Sequence, residues 1–358
     1  MKIALSYKSN KGSWGGGNQF VKSLVKIASE EGHEFVYDLK HKDIDIILLT
    51  DPRSYNQEIT FGPFDIFNYL LFVNKNAIVV HRINECDERK NTKHMNILLK
   101  SANYFADHTV FISSWLMSLD IYQKNKSSSL ILNGADETIF NDFYNIEWNK
   151  KEKLRLVTHH WSGNKMKGFD IYEKIDNMIS SKKWNDKIEF TYIGNLPKNF
   201  KFKSTNHILP LHGAKLSREL SKHHVYVTAS SNEPAGMHHI EGVLCGLPVI
   251  YKNSGAIPEY CRDFGISFES QEFIKALNLM IAEYNNLKLK IKEYPNKSSK
   301  MIKCYIDLFK DLLNKKNKIV SNRNLFSSPF FVFLNFIFYL LKLKEIFKKL
   351  KNIFWIIK

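Results

Sequence analysis

Short apolar runs alternate with amphipathic segments along most of this chain, and that alternation restricts the fold more than any other feature. The clearest amphipathic segment begins near Asn18, places Phe20 and Leu24 on one face, and ends near Gly32. The runs predicted to be strands are 3–7, 34–37, 44–50, 77–81, 109–112, 129–132, 154–159, 188–193, 225–229, 248–251 and 265–268. Apolar strands that alternate with helices are typical of parallel sheets, so we predict an α/β fold.

The chain is long enough for more than one hydrophobic core. Its 358 residues exceed the usual size of a single core, and a polar stretch at 141–153 separates two series of strands. We predict one Rossmann-like doubly wound domain in residues 1–150 and a second in residues 151–315, followed by a tail at 316–358. Two such sheets that face each other across a cleft bind ligands at the carboxyl ends of their strands.

Two glutamates separated by seven residues, Glu233 and Glu241, lie before and within a small-residue helix that leads into an apolar strand. Gly236 allows the backbone to approach a ligand closely, and a helix amino end offers unpaired N–H groups, so the segment suits a polyhydroxylated anion. A glycosidase pair is an alternative. Residues eight apart on one helix are about 12 Å apart, whereas paired glycosidase carboxylates are about 5 to 9.5 Å apart. This spacing disfavours hydrolysis unless Glu233 folds back from the preceding loop.

The same segment closely resembles the Glu-x7-Glu signature of the family-4 retaining glycosyltransferases of the GT-B fold. The resemblance extends to the Gly-Leu-Pro-Val strand at 246–249 and to the stretch at 253–259, and it covers most of residues 1–315. It implies that Glu233 contacts the donor sugar and that Glu241 contacts the nucleotide ribose. The residues between them that it implies at the donor are Gly236, Met237 and His238.

A second resemblance to the same family lies after the strand at 154–159. The pair Lys167-Gly168 matches a lysine-glycine pair whose lysine neutralises diphosphate oxygens in the family. Many members also have an arginine about five residues earlier, where this chain has Ser162 or His160. Lys165 is a possible substitute for that arginine, or simply a solvated surface lysine.

Gly16 and Gly17 belong to a glycine-rich turn between the first strand and the first helix, where exposed N–H groups could hold a phosphate. The dinucleotide fingerprint is absent, because Phe20 occupies its third glycine position. The turn resembles the glycine-rich first loop of GT-B glycosyltransferases, which lies near the donor diphosphate and the acceptor.

His81 ends an apolar strand. A lone histidine there is more often a structural hydrogen-bonding group. The family, however, has a histidine at the end of the corresponding strand, close to the donor sugar. By this resemblance we predict His81, Glu233 and Lys167 as the catalytic residues, with Gly16, Gly17, Lys165, Gly236, Met237, His238 and Glu241 at the donor.

Metal and nucleic-acid sites are not indicated by the sequence. Adjacent histidines occur at 159–160, 223–224 and 238–239, but no H-E-x-x-H or D-x-D pattern accompanies them. We therefore expect no metal and no cofactor beyond a nucleotide-diphosphate sugar as co-substrate. The net charge of +16 suggests nucleic-acid binding, yet there is no zinc finger, RNP motif or basic-aromatic ladder.

The tail differs from the rest of the chain. Residues 325–341 carry no charge, and residues 342–358 contain six lysines and one glutamate among apolar side chains. Seventeen helical residues span about 25 Å, less than a hydrocarbon core of about 30 Å. An in-plane anchor on an anionic membrane is therefore favoured over a span, and a helix packed on the protein or on a partner subunit is the alternative.

The apolar run at the amino terminus is too short for a signal peptide. The four cysteines include no C-x-x-C pair, which indicates reduced thiols. We predict a cytoplasmic protein, peripheral on the inner face of the membrane. Its expected activity is retaining transfer of a sugar from a nucleotide sugar to a glycan or lipid-linked acceptor, in cell-surface polysaccharide or glycolipid synthesis. The alternatives are a non-catalytic sugar-nucleotide or lipid-binding scaffold, a GT-B epimerase or phosphorylase, and, less favoured, a nucleic-acid-binding protein.

Overall fold

The computed structural model describes residues 1–9, 15–56, 58–270 and 272–356, the last fourteen of these as helical backbone only. The described residues form two sheets of six parallel strands each. One sheet lies before residue 150 and the other after it, so the predicted α/β class and the pair of doubly wound sheets are confirmed.

The first sheet has the strand order β2-β1-β3-β4-β5-β6. Its strands are β1 (Lys2–Leu5), β2 (Glu34–Val36), β3 (Ile46–Leu49), β4 (Ile78–Ile83), β5 (His108–Phe111) and β6 (Ser128–Leu130), and its helices are α1 (Gly16–Glu30), α2 (Pro63–Phe72), α3 (Met95–Asn103) and α4 (Ser114–Met117). Alternate residues of β3 face opposite sides, as a period of two requires: Ile46 and Leu48 pack in the cluster with α1, and Ile47 and Leu49 pack in the cluster with α2. Helices therefore cover both faces of this sheet.

The second sheet has the strand order β12-β11-β10-β7-β8-β9. Its strands are β7 (Leu154–His160), β8 (Ile188–Gly194), β9 (Asn206–Ile208), β10 (Val225–Thr228), β11 (Val249–Lys252) and β12 (Gly265–Phe268), and its helices are α5 (Phe169–Ile179), α6 (Gly213–Leu220), α7 (His238–Leu244), α8 (Ile257–Cys261) and α9 (Phe273–Lys290). Leu156 packs with α5 and α9 on one face, whereas Val157 packs with α6 and α7 on the other.

Helix α10 (Ser298–Asn314) follows the second sheet in sequence but packs on the first. Its apolar face, which includes Tyr305 and Phe309, is buried in the same cluster as Phe20 and Leu24 of α1. The rings of Phe20 and Tyr305 are 5.0 Å apart. The chain therefore crosses back to the first domain before the tail begins.

The tail consists of α11 (Lys316–Asn322) and α12 (Pro329–Ile356), and its start is tied to the first domain. Arg323 donates from Nε and Nη2 to the two carboxylate oxygens of Asp107 at 2.9 and 2.5 Å. Helix α12 packs on α2 and α3, with Phe336 and Tyr339 each 5.3 Å from Phe64 between ring centroids. None of the helices in the described part of the chain is long and apolar enough to cross a membrane.

Helix α12 has two different faces over its described side chains. Asn335 is 2 % exposed and donates to the carbonyl oxygen of Ser101 at 2.9 Å. The opposite face is apolar and exposed, and it consists of Phe330, Phe333, Ile337, Leu340 and Leu341. One face thus fits the packed-helix alternative, and the other remains open to solvent.

Candidate active site

A cleft with a volume of about 350 Å³ lies between the two domains, at the carboxyl ends of β1, β4, β7 and β10. The strand order reverses between β1 and β3 in the first sheet and between β10 and β7 in the second, and open α/β sheets bind ligands at such points. First-domain residues on its wall include Gly16, Gly17, Asn18, Asp51, Arg53, Arg82, Asn84, Glu85, Arg89 and Lys90. Second-domain residues include His159, His160, Lys167, Glu233, Gly236, Met237, His238 and Glu241.

Glu233 and Lys167 form an ion pair in this cleft. Lys167 Nζ is 2.5 Å from Glu233 Oε2, and the two side chains are 13 % and 6 % exposed. Burial alone would raise the pKa of Glu233, but Lys167 and Arg89 lower it to about 2. A carboxylate in this state is ionised at neutral pH, so it accepts hydrogen bonds and does not serve as a general acid.

The turn before α5 explains how Lys167 reaches the cleft. Residues Lys165–Lys167 form a single 3-10 turn, which begins where the Asn164 side chain accepts from the N–H of Met166 at 2.8 Å. Gly168 ends the turn with φ +92°, and a Cβ atom there would lie 2.4 Å from the Cβ of Ala229. The lysine-glycine pair therefore reflects both a left-handed backbone and close packing against β10.

Glu241, in the first turn of α7, is held by a histidine of β7. His159 Nε2 lies 2.7 Å from Glu241 Oε2, and the hydroxyl of Tyr226 lies 3.1 Å from His159 Nδ1. The His159 ring therefore bridges Glu241 and Tyr226. The sequence contained no signal for this pairing beyond the histidine at the end of a strand.

His238 is on the wall of the cleft, but its ring is turned into the protein. Its Nε2 lies 2.8 Å from Thr228 Oγ1, and its ring centroid is 4.6 Å from that of His160. Burial and the neighbouring His160 lower the pKa of His238 well below its usual value, so the ring is neutral. Over the described residues, no group of three or more His, Cys, Asp or Glu side chains is arranged to hold a metal ion.

The glycine turn lies directly against the second domain. Gly16 begins α1, and a Cβ atom on it would lie 2.7 Å from Met237 Cγ. Gly17 also lines the cleft, near Asn84. Gly236 has φ +77° and is packed against the rings of His238 and His239 and against Glu233. The three glycines predicted at the donor, Gly16, Gly17 and Gly236, therefore lie at the cleft, together with Met237 and both glutamates.

Two predicted site residues are not brought to the cleft. Strand β4 continues through Ile83, so His81 lies inside the sheet and not at its edge; it is fully buried, with Nδ1 3.3 Å from Asn103 Oδ1. Burial lowers the pKa of His81 to about 4. Lys165 is exposed and lines a separate groove beside Phe169 and Phe200. The structure thus gives His81 a place in the core and Lys165 a place on the surface.

Arg89 is a charged residue of the cleft that sequence reasoning missed. It follows β4 in the loop before α3, where Nη1 donates to Glu85 Oε2 at 2.9 Å. Its Nε lies 3.5 Å from Glu233 Oε1, across the cleft. Local sequence patterns do not reveal this contact, because Arg89 and Glu233 are 144 positions apart in the sequence.

The comparisons with known proteins agree with this geometry. Residues 175–300 match the model of the family Glycosyl transferases group 1. No curated protein matches the chain. The matched residues include Glu233 and Glu241 and every element from β8 to α9.

Solved structures share the fold at low sequence identity. Sucrose-phosphate synthase of Thermosynechococcus elongatus aligns with a TM-score of 0.60 and 13% identity, over 87% of this chain and 99% of that one. The Anabaena HepE protein in complex with UDP-glucose gives a TM-score of 0.63 and 13% identity, over 87% and 100% of the two chains. AviGT4, a glycosyltransferase involved in avilamycin A biosynthesis, aligns with a TM-score of 0.61 and 12% identity, over 87% of this chain and 98% of that one. The resemblance to GT-B glycosyltransferases is thereby confirmed: residues 175–300 match the group 1 glycosyltransferase model, and the chain has the GT-B fold.

Proposed function

We propose that the chain is a retaining glycosyltransferase that moves a sugar from a nucleoside diphosphate sugar to a glycan or lipid-linked acceptor. The observation that carries this proposal is the buried Lys167–Glu233 pair in the cleft, with Glu241 on the helix that follows. One cation and two carboxylates match the three parts of such a donor. The cation suits the diphosphate, and the carboxylates suit the hydroxyls of sugar and ribose.

Glu233 orients the sugar by accepting hydrogen bonds from its hydroxyls. Its low pKa keeps it ionised throughout the physiological range, which favours transfer over the acid catalysis that a glycosidase needs. Glu241 accepts hydrogen bonds from the ribose, and His159 fixes the carboxylate orientation for that contact. Catalysis then depends on positioning and on stabilising the charges that develop as the bond to the diphosphate breaks.

Lys167 neutralises the departing diphosphate without a metal. The cation is in a turn that Gly168 allows to pack closely against Ala229, and it is held at Glu233 before the donor binds. A preorganised positive charge of this kind stabilises a leaving group more in the transition state than in the ground state. We therefore propose a metal-independent reaction with no cofactor beyond the nucleotide sugar.

We further propose that the enzyme works at the cytoplasmic face of a membrane, in cell-surface polysaccharide or glycolipid synthesis. The exposed apolar face of α12 supports this placement, because an apolar stripe opposite a packed face suits an in-plane helix. The lysines that follow in the sequence suit an anionic surface.

The proposal is tested with the purified full chain and a panel of nucleotide sugars, beginning with UDP-sugars because the HepE structure contains UDP-glucose. A donor that binds the folded state raises the melting temperature, and that donor is then assayed for transfer to lipid-linked and soluble glycan acceptors. Binding without turnover would favour the scaffold alternative. Conversion of the donor without an acceptor would favour an epimerase, and cleavage of a glycan that requires inorganic phosphate would favour a phosphorylase.

A further inference from the structure

The lysines and arginines on the described wall of the cleft come almost entirely from the first domain. The second domain contributes Lys167, together with two carboxylates, Glu233 and Glu241. A departing nucleoside diphosphate adds more negative charge to the same place. The second domain alone therefore supplies too little positive charge for the leaving group. The first domain has to supply the rest from the other side of the cleft.

Two of the four first-domain cations donate hydrogen bonds to residues of their own domain. Arg53 donates from Nε and Nη2 to the carboxylate oxygens of Asp51 at 2.8 and 2.6 Å. Arg82 is 1 % exposed, with its guanidinium 4.0 Å from the centre of the Phe20 ring and Nη2 donating to Asn133 Oδ1 at 2.8 Å. The described hydrogen bonds of both side chains are thus to first-domain residues.

The other two cations belong to the loop after β4. Lys90 Nζ lies 3.3 Å from Glu85 Oε2, which is a contact within the loop, and the Lys90 side chain is 45 % exposed. Arg89 binds Glu85 in the same way but also reaches Glu233 of the second domain. Arg89 is thus the first-domain cation that touches the Lys167–Glu233 pair.

Arg89 and Lys167 face the same carboxylate from opposite domains. Lys167 binds Glu233 Oε2, and Arg89 Nε lies 3.5 Å from Oε1. A second contact holds the two loops together, because the side-chain amide of Asn232 donates to the carbonyl oxygen of Glu88 at 3.2 Å. The side chain of Arg89 is 30 % exposed and so is open to an entering ligand.

We propose that Arg89 is a catalytic residue: it is the second cation on the donor diphosphate, supplied by the first domain where the second has Ser162 or His160 at the expected arginine position. This role rests on the proposed function. Diphosphate oxygens compete with Glu233 for both cations, and sugar hydroxyls then donate to the carboxylate. As the bond from sugar C1 to the phosphate oxygen breaks, its electron pair stays on the diphosphate. The acceptor oxygen bonds to C1, and the acceptor proton passes to the departing phosphate.

The test compares Arg89→Ala and Arg89→Lys with Lys93→Ala, which removes an exposed lysine from the same loop outside the cleft. Affinities of the full chain for UDP, GDP and ADP and for the matching monophosphates are measured by calorimetry, and kcat is measured with the active donor. We expect Arg89→Ala to weaken diphosphate binding about tenfold, to leave monophosphate binding within about twofold, and to lower kcat about a hundredfold. Arg89→Lys should recover part of both losses, and Lys93→Ala should match the parent chain.

The role would be overturned if Arg89→Ala lost diphosphate and monophosphate affinity equally. It would also be overturned if kcat were unchanged while the melting temperature fell. Arg89 would then be a structural ion-pair residue. Arg89→Lys decides the matter if the alanine variant does not fold, because it keeps the charge but loses the guanidinium fork. If the parent chain itself binds none of the diphosphates, the proposed function fails first, and the role of Arg89 fails with it.

Discussion

Gly16 of the first domain and Met237 of the second lie in contact across the cleft, and a Cβ atom on Gly16 would lie 2.7 Å from Met237 Cγ. The first helix of the chain therefore begins against the segment that precedes α7. This contact brings the glycine turn of one domain to the donor-binding segment of the other. A side chain at residue 16 would therefore displace Met237 or separate the two segments.

We predict that Gly16→Ala weakens donor binding by holding the two domains apart. Overpacking of this kind costs about 1 to 3 kcal/mol when the neighbour has to move. The double variant Gly16→Ala, Met237→Ala should recover most of the loss, because it removes the atom that the new methyl group meets. Gly15→Ala is the matched control, since a Cβ atom there has no neighbour within 4 Å. Equal effects at residues 15 and 16 would contradict the steric explanation.

Replacement of Glu241 by glutamine is expected to weaken nucleotide-sugar binding while the fold is retained. The carboxylate is 7 % exposed and is already hydrogen-bonded by His159, so the change removes a charged acceptor from an organised position. The expected cost is about 1.5 to 3 kcal/mol in calorimetric affinity. Glu283→Gln, on the exposed face of α9, is the control. Unchanged affinity for every nucleotide sugar that binds the parent would remove Glu241 from the site.

Replacement of Lys167 by alanine should lower kcat by about a hundredfold to a thousandfold, the range for loss of one preorganised charge-stabilising group. Removal of the lysine leaves Glu233 buried with Arg89 as its cationic partner, so the melting temperature should be compared as well. Activity of the parent chain should survive a chelator. Activity abolished by EDTA and restored by Mg²⁺ or Mn²⁺ would contradict a lysine-based leaving-group mechanism.

His81 is expected to affect stability and its pH dependence more than catalysis. Its folded pKa of about 4 lies below its ordinary value of 6.5, so between these pH values the unfolded chain binds more protons than the folded chain. The contribution of neutral His81 to the free energy of unfolding is complete above about pH 6.5. It declines by about 1.4 kcal/mol per pH unit as the pH falls toward 4. His81→Gln should therefore show a shallower loss of unfolding free energy between pH 7 and pH 5 in urea titrations.

The same variant tests whether His81 touches the donor. Because the ring lies inside the sheet against Asn103, His81→Gln should retain kcat/KM within a few fold at neutral pH. A large loss of kcat at unchanged stability would return His81 to the active site.

Much of the fold could be predicted, because the period of apolar residues reports strands and helices directly. Every predicted strand overlaps an observed one. Strand β9 was missed, since Asn206–Ile208 is a short edge strand with polar residues and has no alternation to detect. The length of β4 was underestimated, because Arg82 continues the strand as a buried cation stacked on Phe20, which a rule based on apolar side chains does not anticipate.

The second-domain half of the site was also predictable, because Glu233, Gly236 and Glu241 lie in one short segment and Lys167 lies beside its glycine. Of the first-domain residues on the cleft wall, Gly16 and Gly17 were predicted and Arg89 was not. Arg89 reaches Glu233 through the relative position of two domains, and no local pattern in a single sequence reports that position. His159 was missed for a similar reason, since it lies 82 positions before Glu241 in the sequence.

The exposed face of α12 provides the last prediction. Phe330 and Phe333 are each 60 % exposed, whereas Asn335 and Tyr339 on the opposite face contact the first domain. The double variant Phe330→Ser, Phe333→Ser should therefore lower the affinity of the full chain for anionic vesicles at least about tenfold, since burial of one such side chain is worth about 1.5 to 3 kcal/mol. Its melting temperature and its activity on a soluble acceptor should be unchanged, while activity on a membrane-embedded acceptor falls.

Phe143→Ser is the matched control, because Phe143 is 81 % exposed in the loop between the domains and is not part of α12. Removal of residues 329–358 is the stronger variant; it keeps Arg323 and its ion pair with Asp107, so the start of the tail stays tied to the first domain. If the double variant still sediments with anionic vesicles as the parent does, the exposed face is not the anchor. If the truncated chain instead unfolds, the contacts of α12 with α2 and α3 are its main role, because the loss then comes from the packed face and not from the membrane.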